Sequence, residues 1–378
     1  MTKYKIAMLP GDGIGKDVMD AAEIILDSIQ LDAELIKGDI GWIFWKEEGN
    51  PLPARTMELI KQTDACLLGA ITSKPNDEAE RELNQRLKGR DYTYYSPIVK
   101  LRQELNLRTN IRPCKSYVGN PLNYKDGIDI VVFRENTEGL YSGVEFHPIP
   151  TEVMECLLRY NSNMKKFSEI KPEDIAISTR IMTKRACKLI LTEAFDYAKK
   201  KGYESVTVIE KPNILRQTGG LMIRMARNIS KRYPNIKLWE RNIDAMCMWL
   251  LKNPLEYSVL VAENMFGDII SDLCAQLIGG LGFASSGNIG DRYAVFEPTH
   301  GSAPKYAGQY KVNPIAMILS VKMLLEYLGE EECVTLVEES VAAVIKEGKV
   351  RTYDMGGNNT TLEVANHIGE KIERGIRK

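Results

Sequence analysis

Histidine is scarce in this sequence, and neither sign of charge is in excess. The three histidines, His147, His300 and His367, stand in unrelated contexts, which excludes a zinc site built from neighbouring histidines. The 50 basic and 51 acidic residues leave a formal net charge of −1, and no stretch combines clustered Lys and Arg with aromatic residues. We therefore expect no binding to DNA, RNA or a membrane surface.

Long apolar runs, a signal peptide and closely spaced cysteines are also missing. No run is long enough to span a bilayer, and the N-terminal segment lacks the apolar core and cleavage site of a signal peptide. The seven cysteines are scattered and form no CxxC motif, so we expect buried, reduced thiols rather than disulfides or zinc ligands. These absences predict a cytoplasmic protein.

The pattern of apolar residues predicts an α/β fold. The chain has 378 residues, more than one core usually serves, so we expect two packed lobes. Short β-rich runs alternate with longer amphipathic stretches, which favours largely parallel strands. The predicted strands cover residues 5–9, 65–68, 128–133, 205–209 and 257–261. Residues 145–175 lack clean periodicity, and they fit an arm, an insertion or a subunit contact.

Two aspartates four residues apart suggest a metal site. Asp268 and Asp272 would share one face of a helix that starts after Gly267, and their charges would repel without a cation. A solvated helix face is the common alternative, but the neighbouring residues are apolar. A hard divalent cation such as Mg²⁺ would compensate the two charges. Asp244 would complete the site, unless it is an ordinary carboxylate at a helix start.

Lys211 and Tyr141 are candidates for proton transfer. Lys211 ends a predicted buried strand, and near a metal such a lysine has a lowered pKa and can act as a base. A surface lysine at a strand edge is the simpler interpretation. Tyr141 follows Arg134 in the segment RENTEGLY, and it is either a proton donor or a half-buried aromatic residue. Sequence spacing leaves both pairs of alternatives open.

Four arginines, Arg102, Arg108, Arg112 and Arg134, fall close together in a chain of nearly neutral charge. Each arginine by itself would be an ordinary solvated surface residue, but together they suggest bidentate recognition of carboxylates. Residues 11–15 read GDGIG after a predicted strand, with Glu34 as a loose candidate for a ribose ligand. This spacing is not the dinucleotide-binding GxGxxG, so a tight turn that needs glycine is the better interpretation.

Together these segments resemble the β-decarboxylating dehydrogenases, the family of isocitrate, homoisocitrate and 3-isopropylmalate dehydrogenases. The resemblance runs nearly end to end, and seven matches in one order are much more specific than any single one. The matching segments are GDGIG at 11–15, LRQELNLRTNIRP at 101–113, RENTEGLYSG at 134–143, EKPN at 210–213, IDAM at 243–246, NMFGDIISD at 264–272 and THGSAPKYAGQ at 299–309.

The resemblance implies a two-lobed isocitrate/isopropylmalate dehydrogenase-like fold rather than a standard Rossmann fold. Residues 1–107 and 282–378 would form the cofactor-binding lobe, and residues 108–281 the dimerisation and metal/substrate lobe. The family also implies a homodimer with a shared active site, in which Lys211 and Asp244 come from the partner subunit. Arg108 stands where a tyrosine or a similar residue is expected, which leaves its role open.

Site residues transfer from the family position by position. Tyr141 and Lys211 would be catalytic, and Asp244, Asp268 and Asp272 would bind Mg²⁺ or Mn²⁺. The substrate-binding positions are Ser96, Ile98, Arg102, Arg112, Arg134 and Asn213. The cofactor-binding positions are Thr72, Glu297, His300, Gly301, Lys305, Tyr306, Asn313 and Tyr353.

The resemblance also predicts the reaction, a metal-dependent oxidative decarboxylation of a 2-hydroxy di- or tricarboxylate with NAD(P). We expect a preference for NADP, because Lys305 and Tyr306 stand where NAD-preferring relatives carry an acid and an aliphatic residue, and both side chains, with Tyr353, can bind a 2′-phosphate. Gly357 argues against NADP, because an arginine at that position would strengthen phosphate binding. Ser96 favours isocitrate as the substrate, whereas the apolar Ile98 favours 3-isopropylmalate or another 3-alkylmalate. We expect isocitrate to be the substrate, with a 3-alkylmalate as the first alternative. Homoisocitrate and a non-catalytic regulatory subunit are further alternatives.

Overall fold

The computed structural model describes residues 2–377, which form a large mixed sheet covered by helices. The strands are β1 (Tyr4–Gly11), β2 (Ala33–Lys37), β3 (Ala65–Ala70), β4 (Thr109–Lys115), β5 (Asp129–Glu135), β6 (Glu145–Phe146), β7 (Ile177–Ser178), β8 (Ser205–Glu210), β9 (Lys237–Asn242), β10 (Val259–Ala262), β11 (Ser285–Ile289) and β12 (Ala294–Pro298). The α-helices are α1 (Gly15–Ser28), α2 (Trp42–Glu48), α3 (Ala54–Lys61), α4 (Asn76–Glu82), α5 (Pro97–Glu104), α6 (Thr151–Tyr160), α7 (Lys184–Lys201), α8 (Thr218–Ser230), α9 (Ile243–Lys252), α10 (Asn264–Leu277), α11 (Ile315–Leu328), α12 (Glu331–Glu347) and α13 (Thr361–Ile376).

Ten strands form the main sheet in the order β2-β1-β3-β12-β11-β4-β5-β10-β8-β9. Strand pairs towards both ends of this order are parallel, as the sequence predicts. The centre departs from the prediction, because β12, β11, β4 and β5 pair antiparallel. The turn between β11 and β12 is too short for a parallel crossover, which requires a dozen residues or more.

The sheet passes from one predicted lobe to the other where β11 pairs with β4, with Gly287 opposite Ile111. The division of the chain after residues 107 and 281 stays a prediction. Helices α1, α11 and α13 pack together over β1 and β3, and α7 covers β5 and β10. Both helical layers are explained by apolar residues at helical spacing. Helix α7 ends where Gly202 takes a left-handed φ of 79°.

The GDGIG segment forms a tight turn between β1 and α1. Gly11 and Gly13 have φ angles of 72° and 56°, and a Cβ on Gly13 would lie 2.0 Å from the Ser302 carbonyl oxygen. Only glycine adopts this backbone so close to another loop. Glu34 lies inside the edge strand β2, where its carboxylate faces Lys5 of β1 at 3.7 Å. The tight-turn interpretation therefore accounts for the motif.

Residues 145–175 stand apart from the main sheet. They contain β6, α6 and two short 3₁₀ turns, and β6 pairs antiparallel with β7 in a separate two-stranded sheet. Most of these residues are exposed, and the large side chains Tyr160 and Ile170 are among them. The segment is thus an arm, and a role in subunit contact stays a prediction. Within residues 2–377, no helix has the length and apolarity needed to cross a membrane.

Candidate active site

Strand direction gathers several polar side chains at one edge of the sheet. Strands β5, β8 and β10 run parallel, so their carboxyl ends meet at the same edge. Arg134 lies next to the end of β5, Lys211 follows β8, and Glu263 follows β10. Ligand sites of open α/β sheets lie at the carboxyl ends of parallel strands. The candidate site therefore begins here.

Helix α10 carries the two predicted metal ligands. It begins at Asn264, four residues before the expected start at residue 268, because the Glu263 carboxylate accepts a hydrogen bond from the Phe266 amide at 3.0 Å and caps the helix. Asp268 and Asp272 are one helical turn apart on one face, as predicted.

Gly267 allows a close approach between this helix and β5. A Cβ at that position would lie 2.7 Å from the Arg134 side chain. Arg134 is 2% exposed, and its guanidinium donates to the Asn264 side-chain oxygen at 2.8 Å and to the Asp268 carboxylate. Burial lowers the pKa of Arg134 to about 10, and the nearby charge of Arg112 adds to this effect. Arg134 thus presents a positive charge held against the helix.

Arg112 lies beside Arg134 and contacts the same helix. Its Nη1 donates to Asp272 Oδ1 at 3.0 Å and to Ser271 Oγ at 2.6 Å, while Nη2 lies 3.5 Å from Asp268 Oδ1. Two buried guanidinium groups therefore face two carboxylates, and this arrangement compensates part of their repulsion.

Arg102 contributes a third guanidinium from α5. It donates to Asn288 Oδ1 at 2.9 Å and to Glu297 Oε1 at 3.2 Å. Burial lowers the pKa of Arg102, and the Glu297 carboxylate opposes this shift. Glu297, a predicted cofactor residue, therefore lies at the arginine cluster.

Arg108 has a different role from the other three arginines. Its Nη2 donates to Glu193 Oε1 at 2.6 Å on α7, and its Nη1 donates to Asp291 Oδ1 at 2.7 Å in the turn after β11. Neither carboxylate is shared with the other three arginines, so the prediction that all four act together was wrong. The side chain instead ties α7 to the β11–β12 turn.

Tyr141 lies at the arginine and aspartate cluster. Its hydroxyl donates to Asp268 Oδ2 at 3.1 Å, and its ring lies 5.6 Å from the Arg134 guanidinium carbon. The side chain is 44% exposed, so a ligand can reach it. Partial burial raises the pKa of Tyr141, and the charge of Asp268 raises it further. The hydroxyl therefore keeps its proton at neutral pH.

Lys211 and Asp244 form a separate pair. The Lys211 ammonium donates to Asp244 Oδ1 at 2.6 Å, and this hydrogen bond lowers the pKa of Asp244. The predicted substrate residue Asn213 is exposed two positions further on. Within residues 2–377, no three His, Cys, Asp or Glu side chains form a group suited to a metal. Asp244 therefore does not complete the Asp268 and Asp272 site within one chain.

Ser96 and Ile98 stand at the start of α5. Ser96 precedes the helix, and its hydroxyl makes no capping hydrogen bond. Ile98 is half-buried against an apolar cluster that includes Leu101. Because Ile98 and Arg102 are one turn apart, they share a helix face.

Two adjoining cavities collect most of the predicted cofactor residues. The first has a volume of about 380 Å³, and five predicted residues line it: His300, Gly301, Tyr306, Asn313 and Tyr353. The second has a volume of about 360 Å³, shares both tyrosines and adds Lys311. Lys305 is exposed, with its ammonium 4.8 Å from the centre of the Tyr306 ring.

Near these cavities, the His300 ring is neutral and Gly357 leaves no room for a side chain. Burial lowers the pKa of His300, whose Nδ1 lies 3.1 Å from the Gly301 carbonyl oxygen, so the ring is neutral at pH 7. A Cβ on Gly357 would lie 2.1 Å from the Arg351 carbonyl oxygen, so no side chain fits there without a backbone shift. Thr72 lies outside the cavity walls, where its hydroxyl is 2.6 Å from Ser302 Oγ.

Buried asparagines around the arginines were missed from the sequence. Asn288 is fully buried, and its Oδ1 accepts from Asn110 at 2.8 Å and from Asn136 at 3.0 Å, besides Arg102. Asn110 and Asn136 lie inside or beside the quoted arginine segments, but Asn288 lies in no motif. No strand is predicted over residues 285–289, so nothing in the sequence marks Asn288 as a buried polar residue.

Comparisons with known proteins agree along the whole chain. The family model described as isocitrate/isopropylmalate dehydrogenase matches residues 5–372. Protein DlpA of Legionella pneumophila is 41% identical over 98% of this chain, which spans only 59% of that protein. The 3-isopropylmalate dehydrogenase of Archaeoglobus fulgidus is 40% identical over 98% of this chain and 99% of its own. The crystal structure of isocitrate dehydrogenase from Methylococcus capsulatus has a TM-score of 0.84 at 35% identity, covering 98% of this chain and 99% of that one.

Proposed function

Since the chain belongs to the isocitrate/isopropylmalate dehydrogenase family, we propose that it oxidatively decarboxylates isocitrate with NADP, as a homodimer with shared active sites. Membership makes it a decarboxylating dehydrogenase, and the family generally uses NAD(P) and a divalent metal ion. The choice of substrate, the choice of NADP and the roles of single residues are parts of the proposal. The observation that supports them best is the convergence of Arg102, Arg112 and Arg134 beside Asp268.

The arginine cluster suits a substrate with several carboxylates. Three guanidinium groups lie together here: Arg112 and Arg134 share Asp268, Arg112 also pairs with Asp272, and Arg102 pairs with Glu297. A cation held by Asp268 and Asp272 would compete for these two carboxylates and leave Arg112 and Arg134 available to a substrate. Guanidinium groups bind carboxylates in a planar, bidentate manner, so this cluster would orient a di- or tricarboxylate. A reaction between fixed groups gains rate from such orientation.

The donor set fits a hard divalent cation. Asp268 and Asp272 offer carboxylate oxygens on one helix face, and oxygen is the ligand that Mg²⁺ and Mn²⁺ prefer. Asp272 is 60% exposed and open to further ligands. When bound, the cation would polarise the 2-hydroxyl group and the nicotinamide would take up the hydride.

Proton transfer would fall to Lys211 and Tyr141. As a neutral amine, having released its extra proton, Lys211 would accept the proton of the 2-hydroxyl group, directly or through water. Tyr141 would donate a proton to the carbon that loses CO₂, which suits a hydroxyl group protonated at neutral pH. Its position beside Asp268 and its exposure both suit that task.

A shared site would reconcile the two separate clusters. In one chain Lys211 pairs with Asp244, and no three carboxylates of residues 2–377 form a metal-binding group. In a homodimer, the Lys211–Asp244 pair of one subunit would reach Asp268 and Asp272 of the other. The exposed side of α9, with Met248 and Leu251 about half-exposed, is apolar enough for burial between subunits.

Ser96 and Ile98 divide the choice of substrate. The free Ser96 hydroxyl would donate to the third carboxylate of isocitrate, which supports that substrate. An apolar Ile98 beside a carboxylate would cost about 1–3 kcal/mol in lost hydrogen bonding, which favours a 3-alkylmalate instead. We retain isocitrate, with 3-isopropylmalate as the second candidate.

Steady-state kinetics with isocitrate, homoisocitrate, 3-isopropylmalate, D-malate and tartrate, each with NAD and NADP, would test the proposal. We expect the highest kcat/KM with isocitrate and NADP, and a further gain for isocitrate in Ile98→Asn. Val99→Asn is the matched control, because Val99 is 38% exposed on the next position of the same helix. A wild type that prefers 3-isopropylmalate would overturn the substrate, and one inactive with every acid would favour a regulatory subunit.

A further inference from the structure

Arg180 is a buried cation outside the arginine cluster that we assigned to the substrate. It follows β7, where the arm returns to the body of the protein, and its side chain is 8% exposed. Its Nη1 donates to Thr218 Oγ1 at 2.9 Å, and its guanidinium carbon lies 5.1 Å from the centre of the Phe266 ring. The side chain is therefore held in one position by α8 and α10.

Two buried carboxylates meet at this guanidinium. Arg180 Nη2 lies 2.8 Å from Glu210 Oε1 and 3.3 Å from Glu263 Oε1. Glu210 is 0% and Glu263 1% exposed. In the part of the chain from residue 2 to residue 377, no other cation forms an ion pair with either carboxylate. Without Arg180, two neighbouring negative charges would be buried with no compensation.

Each of these carboxylates accepts a hydrogen bond from a backbone amide at or near a proposed site residue. Glu210 ends β8, and its Oε2 accepts the amide hydrogen of Lys211 at 3.0 Å. Glu263 follows β10 and caps α10 through the Phe266 amide at 3.0 Å, and that helix presents Asp268. Arg180 thus connects the end of β8, just before Lys211, with the start of α10, which carries Asp268.

We propose that Arg180 is a positioning residue for the reaction, which holds Lys211 through Glu210 and the Asp268 helix through Glu263. This inference rests on the proposed function, since it takes Lys211 as the base. In a dimer with shared sites, Lys211 would serve the neighbouring site and Asp268 the site of its own chain. One guanidinium would then hold parts of both sites.

The test compares Arg180→Met with Arg180→Lys and with a surface control. Arg227 is the matched control, because its guanidinium is 63% exposed and binds a single carboxylate, Glu240, with two hydrogen bonds of 2.7 and 2.8 Å. We expect Arg180→Met to lower kcat by about 10- to 100-fold, the usual range for a residue that orients a metal or catalytic group. Arg180→Lys should recover part of this loss, and Arg227→Met should equal wild type.

The Michaelis constant for the cofactor separates positioning from folding. The cofactor cavities are lined by Ile14 and by residues between 281 and 359, and Arg180 is not among them, so the KM for NAD(P) should stay near the wild-type value while kcat falls. A purely structural role would lower the melting temperature and leave kcat per folded enzyme unchanged, and that result would overturn the proposal.

Two further variants keep the test decisive. If Arg180→Met does not fold, Thr218→Val removes only the hydroxyl that orients Nη1, and it should lower kcat by a smaller factor; an unchanged kcat would refute the proposal. Lys211→Met separates the two levels of inference. If that variant is inactive while the Arg180 variants match wild type, only the positioning role fails; if it is fully active, the proposed base is wrong.

Discussion

Replacing Lys211 by methionine should abolish most activity and leave the fold intact. The lysine side chain is 23% exposed and its partner Asp244 is 66% exposed, so their ion pair contributes little to stability. Methionine keeps an unbranched chain of similar length and loses only the amine. The melting temperature should therefore change little, and any loss of rate reflects the chemistry.

The expected loss of kcat is roughly 100- to 10,000-fold, the range for removal of a general base. This loss corresponds to about 3–5 kcal/mol of transition-state stabilisation. Since Lys211 lies outside both cofactor cavities, the KM for NAD(P) should remain close to wild type. A fall in kcat without a change in cofactor binding would identify proton transfer as the lost step.

The assay follows the absorbance of reduced nicotinamide at saturating substrate, with thermal unfolding as the check on the fold. Lys371→Met is the matched control. This lysine lies in the C-terminal helix α13, is 18% exposed and donates to Glu347 at 2.5 Å. The control should keep wild-type kcat. If Lys211→Met kept a kcat close to wild type, or if both variants lost activity equally, the assignment of the base would be wrong.

Three further predictions follow from the site and the fold. Chelation should abolish activity, Mg²⁺ or Mn²⁺ should restore it, and Asp272→Asn should raise the metal concentration for half-maximal rate; full activity without metal would contradict this. Lys305→Asp with Tyr306→Ile should lower the NADP/NAD ratio of kcat/KM, and an unchanged ratio would exclude these residues as the determinants. Burial raises the pKa of Glu338, but its lysine partners more than offset this and hold it at about 2, below the usual 4.5. The resulting stabilisation, at most about 3 kcal/mol, is complete above pH 4.5 and disappears as the pH falls towards 2. The unfolding free energies of wild type and Glu338→Gln should therefore converge over that range, and a difference that stayed constant would refute this role of Glu338.

Local patterns predicted a large part of the fold. The five strands expected from apolar runs are all present. Asp268 and Asp272 share a helix face because a spacing of four residues is close to one helical turn. These features depend on neighbours in sequence, so they can be read without knowledge of tertiary contacts.

Long-range contacts explain the errors. Arg108 binds Glu193 and Asp291, which are 85 and 183 residues away, so nothing near it in sequence reveals that its guanidinium is occupied. Helix α10 begins earlier than predicted because the Glu263 side chain caps it, a contact that the spacing of the aspartates does not reveal. The antiparallel centre of the sheet was missed, since residues 285–298 had not been identified as a pair of strands.

The sequence by itself determined the alternation of strands and helices, the aspartate pair and the family, because periodicity, residue spacing and ordered motifs are properties of the linear chain. Only the tertiary structure decided which charges meet. Strand order and helix packing bring Arg180 to Glu210 and Glu263 and bring Arg102 to Glu297. They also pair Arg108 with Asp291, outside the arginine cluster. The physical reason is that electrostatic and hydrogen-bonding partners are selected by distance in space, and the fold sets those distances between residues far apart in sequence.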